Sequence, residues 1–162
     1  MQISLLRIDD RMIHGQVVIG WIPHLRVTVV VAACDAVAAD ETQTALMGMA
    51  MPDGVDLLVL PVSLAARRIQ DDGDDRRVLV LAPGPLEVLR LLDAGVRVGS
   101  VNVGGLHYTA GKVQLGKAIF LSPEDKDALR AISGRGVALE GRALPCEAAV
   151  DIMEMIGAEE TR

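Results

Sequence analysis

The chain has 162 residues, 51% of them apolar, which is ample for one compact core and points to a single domain over 1–162. Sixteen basic against 22 acidic residues leave a net charge of −6, and there is no basic run, so a nucleic-acid phosphate backbone is excluded as the expected partner. The aromatic set is only Trp21, Tyr108 and Phe120, so the core must be aliphatic. No stretch approaches the roughly 18 consecutive apolar residues needed to span a bilayer. The start, MQISLLRIDDRM, meets acidic charge too early for a signal peptide, and Cys34 and Cys146 form no C-x-x-C. A cytoplasmic protein with free, inert thiols is expected.

Short apolar, β-branched runs alternate with segments of helical spacing, the pattern of a mainly parallel α/β sheet. In chain order the strand candidates are 2–8, 26–32, 55–61, 77–82, 100–104, 117–122 and 137–142. Several are apolar at nearly every position, as strands buried on both faces require. A helix is expected over 14–23. Asp35 or Asp40 caps another reaching Met51, and Ser63 caps one over 64–71. Pro85 suits a first turn of a helix ending at Gly95. Ser122-Pro123-Glu124-Asp125 supplies an N-cap, a first-turn proline and acids at the positive end of a sixth helix, stopped by Gly134 and Gly136. A last helix is expected from Cys146 to Ile156. The acidic run Asp71 to Asp75 lacks cation-loop spacing and reads as a solvated turn.

In an open α/β sheet the carboxyl ends of the strands carry the ligand site, where the strand order reverses. If strand 1 is central, with strands 2 to 4 on one side and strand 5 opening the other, the loops after strands 1 and 5 are neighbours. The first of these, Arg7-Ile8-Asp9-Asp10-Arg11-Met12-Ile13-His14-Gly15-Gln16-Val17-Val18, is the richest segment of the chain. A structural reading exists, in which an aspartate caps the helix, Arg11 makes a surface ion pair and His14 is an incidental polar residue. The surroundings favour chemistry instead. Gly15 allows close approach to the backbone, the free Gly15 and Gln16 amides suit an anion, and Arg11 presents a fork of donors matched to phosphoryl oxygens. Asp9 or Asp10 can hold one imidazole nitrogen as N–H and leave the other free to attack. Those are the requirements of a phosphohistidine, which needs positioning and electrostatic stabilisation and no metal or cofactor.

The second loop, Val101-Asn102-Val103-Gly104-Gly105-Leu106-His107-Tyr108, makes Gly104, Gly105 and His107 candidates to line the cleft; a plain glycine turn with a surface His-Tyr pair is the alternative. Gly111 to Ala118 imitates part of a P-loop, but Ala118 replaces the Mg²⁺-binding hydroxyl and an apparent strand follows where a helix is needed. A metal site of Asp9, Asp10 and His14 lacks a second histidine. His24, behind Trp21-Ile22-Pro23, reads as a structural or surface residue.

At RIDDRMIHGQVV the chain resembles the IIB component of the phosphoenolpyruvate-dependent sugar phosphotransferase system, mannose/fructose/sorbose family. VNVGGLHY followed by Gly111-Lys112, the segment 35–55 and LSPEDKDAL at 121–129 extend the resemblance over essentially the whole chain. It implies an open sheet of seven strands, about six parallel and one antiparallel, with helices on both faces. It also implies that His14 accepts a phosphoryl group from a phosphohistidine of a IIA partner on a separate chain or domain. The group then passes to a sugar held by membrane IIC and IID components, through which the protein is associated with the membrane. By position Arg11 matches the arginine around the phosphoryl group, and Asp9 and Asp10 the acidic pair supporting the loop. Met12 stands where leucine is common and Cys34 where relatives often carry Ser, Asn or Asp. No catalytic role carries over to His107 or Tyr108. A non-catalytic regulatory or binding domain of the same fold is the alternative, and a homo-oligomer is left open.

Overall fold

A computed structural model describes residues 1–71 and 73–161. Its strands are β1 (Gln2–Asp9), β2 (Val29–Ala33), β3 (Asp56–Leu60), β4 (Arg77–Ala82), β5 (Ser100–Gly105), β6 (Val113–Gly116), β7 (Ile119–Leu121), β8 (Ala138–Gly141) and β9 (Val150–Asp151). A π-helical segment, Gln16–Trp21, runs into α1 (Ile22–Leu25). The other helices are α2 (Asp35–Ala38), α3 (Glu41–Met49), α4 (Val62–Ile69), α5 (Pro85–Asp93), α6 (Pro123–Ser133) and α7 (Ile152–Glu160).

The strands pair in the order β3-β2-β4-β1-β5-β8-β9, parallel throughout except for β8 with β9. Strand alternation divides the core between two faces. Val29, Val31, Val78, Val80, Leu6, Ile8, Val101 and Val103 pack under α4, α5, α6 and α7. Val30, Ala32, Leu79 and Leu81 pack with Val17, Trp21, Ile22, Val37 and Met47 from the π-helical segment and α1 to α3. Both faces are covered, which is why β2 and β4 read as unbroken apolar runs.

Five sequence expectations change. Ser63 is no cap: α4 already starts at Val62, with Pro61 at its N-cap and no side-chain cap bond, so Ser63 lies in its first turn. The run at 117–122 is not in the main sheet: it turns at Lys117-Ala118 and pairs antiparallel with β6 as a separate ribbon. The seventh strand of the sheet is β9, hidden in what read as the start of the last helix. That helix begins late because Asp151 is its N-cap, accepting the Met153 and Glu154 amides, while the Glu147 carboxylate accepts the Ala143 and Leu144 amides. The helix expected over 14–23 is wound wide over Gln16–Trp21, with Ile22 N–H donating to Val17 O. Pro23 has no amide, and its ring would meet the Ile19 carbonyl in an α-turn. The segment 35–51 is two helices, with Asp40 capping α3 and the Asp35 carboxylate accepting the Val62 amide instead. Asp72, within the acidic turn, lies outside the described residues.

Candidate functional site at the carboxyl ends of β1 and β5

β1 lies between β4 and β5, so its carboxyl end and that of β5 flank the point where the strand order reverses. Leaving β1, the backbone turns sharply. Met12 N–H donates to Asp9 O at 3.0 Å and Arg11 N–H to Asp9 Oδ1 at 3.2 Å. Met12, buried, takes φ of 58°, a left-handed conformation unusual for a side chain of this size. The turn returns the chain over the end of β1 and brings His14 back onto Asp9.

Asp9 is the hub. Its side chain is fully buried, and Oδ2 accepts from Arg7 Nη2 at 2.8 Å and from His14 Nε2 at 2.9 Å. The other oxygen takes the Arg11 amide and lies 3.8 Å from Arg11 Nε. Burial alone would raise the Asp9 carboxyl. The His14 hydrogen bond and the Arg7 charge outweigh it and hold the group below the ordinary carboxylate range. Ionised, Asp9 can only accept, so His14 carries its hydrogen on Nε2. The Nδ1 lone pair is then left without a hydrogen bond to any described residue.

Around this centre, Arg11 is partly exposed and its Nη2 donates to Gln16 Oε1 at 3.0 Å. The main-chain N–H groups of Gly15 and Gln16 have no acceptor among the described residues, as at any helix start. Asp10 does not touch His14. It reaches across to the chain after β5, where its carboxylate accepts the His107 amide and ring Nδ1, both at 2.6 Å. Asp9, Arg11, His14 and Gln16 therefore form one group, and Asp10, Gly105 and His107 an adjoining one.

Arg7, Asn102 and Trp21 complete the site from beneath. Arg7 and Asn102 are partners in the β1–β5 register and both fully buried; Arg7 Nη1 donates to Asn102 Oδ1 and to Arg142 O. The Arg7 guanidinium lies 5.4 Å from the centroid of the buried Trp21 ring, with Arg142 at 5.2 Å from the same centroid. Burial lowers the Arg7 pKa and Asp9 opposes that. Gly104 is what makes room: a Cβ there would sit 1.8 Å from Arg7 Cζ. Gly104 also borders a cavity of about 480 Å³ with Gly116, Gly141 and Arg142. The signal for Arg7 and Asn102 was present in the sequence, since a polar residue inside a strand covered on both faces must find a buried partner.

Cys34 is buried at the end of β2, and Cys146 is exposed; both are free thiols. His24 packs edge-on to Trp21 at 6.2 Å. The P-loop-like stretch from Gly111 to Ala118 holds a turn, β6 and the turn that leads into β7.

An open parallel sheet with a carboxylate-held histidine at its switch point places the chain among α/β proteins that work from the loops at their strand ends. The match to known proteins is closer than that. A family model described as "PTS system sorbose subfamily IIB component" matches residues 3–162, and the chain belongs to this family. It is 34% identical to the sorbose-specific EIIB component of Klebsiella pneumoniae over 96% of both chains. Identity to the mannose-specific EIIAB component of Escherichia coli (strain K12) is 35% over 96% of this chain, which spans about half (49%) of that relative's length. The crystal structure of the IIBSor domain of the sorbose permease from Klebsiella pneumoniae superposes with a TM-score of 0.94 at 34% identity, covering 98% of each chain. No helix among the described residues is long and apolar enough to cross a membrane.

Proposed function

We propose that residues 1–162 act as one phosphocarrier unit in which His14 Nδ1 accepts a phosphoryl group from a phosphohistidine of a IIA protein or domain and passes it to a sugar. The sugar is held by membrane IIC and IID components, at whose cytoplasmic face the protein works. The observation that carries this reading is the contact of Asp9 Oδ2 with His14 Nε2 at 2.9 Å. It fixes the tautomer and leaves Nδ1 as the nucleophile.

The chemistry follows from that geometry. The Nδ1 lone pair forms the new N–P bond as the donor imidazole leaves with the electrons of the old one. Because Nε2 keeps its hydrogen, the phosphorylated ring is cationic, and buried Asp9 stabilises that charge. In the second step a sugar hydroxyl attacks phosphorus and gives its proton to water, while the N–P electrons return to the ring and His14 leaves as neutral imidazole, a good leaving group. Arg11 is exposed enough to swing from Gln16 onto the phosphoryl oxygens, and the Gly15 and Gln16 amides add donors. Between two histidines the exchange is near energetic balance, so positioning dominates.

Incubation with a phosphorylated mannose-type IIA protein is expected to give an acid-labile, alkali-stable phosphoryl group in the wild-type chain and none in His14→Ala. Label that persists in His14→Ala would overturn the assignment.

A further inference from the structure

Two imidazoles at this end of the sheet are each gripped by one of two consecutive aspartates, and through opposite ring nitrogens. Asp9 holds His14 by Nε2, and Asp10 holds His107 by Nδ1 at 2.6 Å. Asp10 accepts the His107 main-chain amide as well, at 2.6 Å, and its own amide donates to Gly105 O at 3.1 Å. Three hydrogen bonds thus tie the loop after β1 to the last residue of β5 and the segment that follows it. Asp10 hydrogen-bonds neither His14 nor Arg11 among the described residues.

The segment on the far side is firmly seated. Leu106, buried, donates its N–H to Ala118 O at 2.9 Å and accepts the Phe120 amide at 2.8 Å, tying it to the β6–β7 ribbon. Tyr108 packs edge-on against Phe120 at 5.7 Å, and Lys112 Nζ lies 3.1 Å from Asp125 Oδ2 in the first turn of α6. By contrast, the loop that carries His14 holds Met12 at φ of 58°, a backbone conformation that persists only where its surroundings over-determine it. Asp9 braces that turn from the buried side, through Arg7 and the Arg11 amide. Asp10 braces it from the solvent side.

We propose that His107 is a positioning residue for the reaction at His14, acting through Asp10: its amide and its Nδ1–H clamp the Asp9–His14 turn to the ribbon and so keep Nδ1 of His14 aimed at the phosphoryl group. The inference rests on the reading of His14 as phosphoryl acceptor. His107 acts here through its amide and Nδ1, the atoms that face Asp10.

The test is the rate of phosphorylation by a phosphorylated mannose-type IIA protein, with donor concentration varied. His107→Ala is expected to lower the saturating rate about tenfold, within the range a small misplacement of a reacting group costs. The half-saturating donor concentration and the final extent of labelling are expected to stay near wild type. His107→Asn places an N–H where Nδ1–H stands and is expected to restore most of the rate; His107→Gln reproduces the outer nitrogen and is not. This pair reads the geometry independently of how well the alanine variant folds. Rescue by Gln and not by Asn would overturn the proposal and make His107 a contact residue, as would a rise in half-saturating concentration at an unchanged saturating rate. Wild-type rates in all three variants would overturn it alone, whereas a wild-type chain that takes no label would overturn the reading of His14 first and this inference with it.

Discussion

Two clusters of arginine and aspartate sit at opposite ends of the same sheet, and they are built on opposite principles. At the carboxyl ends, Arg7 and Asp9 are wholly buried and joined at 2.8 Å, with Asn102, the Arg142 carbonyl and His14 filling further positions around them. At the amino ends, Asp74 joins Arg76 at 2.8 Å and Arg68 at 2.6 Å, and Arg76 reaches Asp56 at 2.6 Å. Asp56 is 67% exposed, Arg76 38% and Arg68 32%, so Asp74, itself 9% exposed, is held by guanidiniums that stand in water. The residue types and distances are alike; the dielectric around them is not. A buried pair leaves an uncompensated charge when one member is lost, whereas a wet pair simply rehydrates. The buried cluster holds one imidazole nitrogen protonated at a fixed angle, which is what the chemistry proposed for His14 needs.

The largest effect expected from this contrast is that of Arg7→Met. The side chain fills similar space but strands the Asp9 charge with no guanidinium beneath it. A loss of about 3–5 kcal/mol in unfolding free energy is expected by urea titration at pH 7. A loss no greater than that of a substitution in the wet cluster would break the distinction.

Gly104→Ala attacks the same pair from the neighbouring strand. The added Cβ would lie 1.8 Å from Arg7 Cζ, so the guanidinium must move off Asp9 or β5 must shift. The expected cost is about 1–3 kcal/mol, the range for overpacking. Gly105→Ala is the control, since its Cβ would come no nearer than 3.5 Å to Asp9 Oδ1, an ordinary contact. In the double variant Arg7→Met/Gly104→Ala the two costs should fall short of additive, because the collision exists only while Arg7 is present.

How far the sequence disclosed this arrangement depends on distance along the chain. The apolar runs β2 and β4, the capping box at Ser122 and the dense segment 7–16 are local patterns, and the sheet, α6 and the Asp9–Arg11–His14 group could be read from them. The pairing of Arg7 with Asn102 spans 95 residues and becomes visible only once β1 and β5 are placed side by side. Asp10 and His107 are 97 apart. Both were within sight as residues, yet no spacing rule says which aspartate takes which histidine. The wide turn at Gln16–Trp21 and the late start of α7 were missed for the opposite reason. There, local helical spacing was a sound signal, and Pro23 in one place and Asp151 in the other overrode it.

The smallest effect is expected for Asp74→Asn, and it sharpens the contrast through salt rather than acid. Hydrogen bonds from the Arg76 side chain and main chain, and then from Arg68, hold the Asp74 carboxyl well below the ordinary range. Asp9 is also held low, so both groups have the same sign. Each contributes stability that is present above the unfolded aspartate value of about 3.9 and is lost as pH falls through its lowered folded value. Acidification from pH 7 to 3 and below should therefore shrink the deficit of Asp74→Asn and of Arg7→Met alike. Salt acts differently, since about 1 M NaCl contracts the screening length to about 3 Å for charges in contact with water and leaves a dry pair largely unscreened. In urea titrations at pH 7, the midpoint shift of Asp74→Asn should be smaller than that of Gly104→Ala and should diminish in high salt, while the shift of Arg7→Met persists. Equal salt sensitivity in the two variants would mean that water reaches Asp9, and His14 would then lack the dry carboxylate that fixes its tautomer.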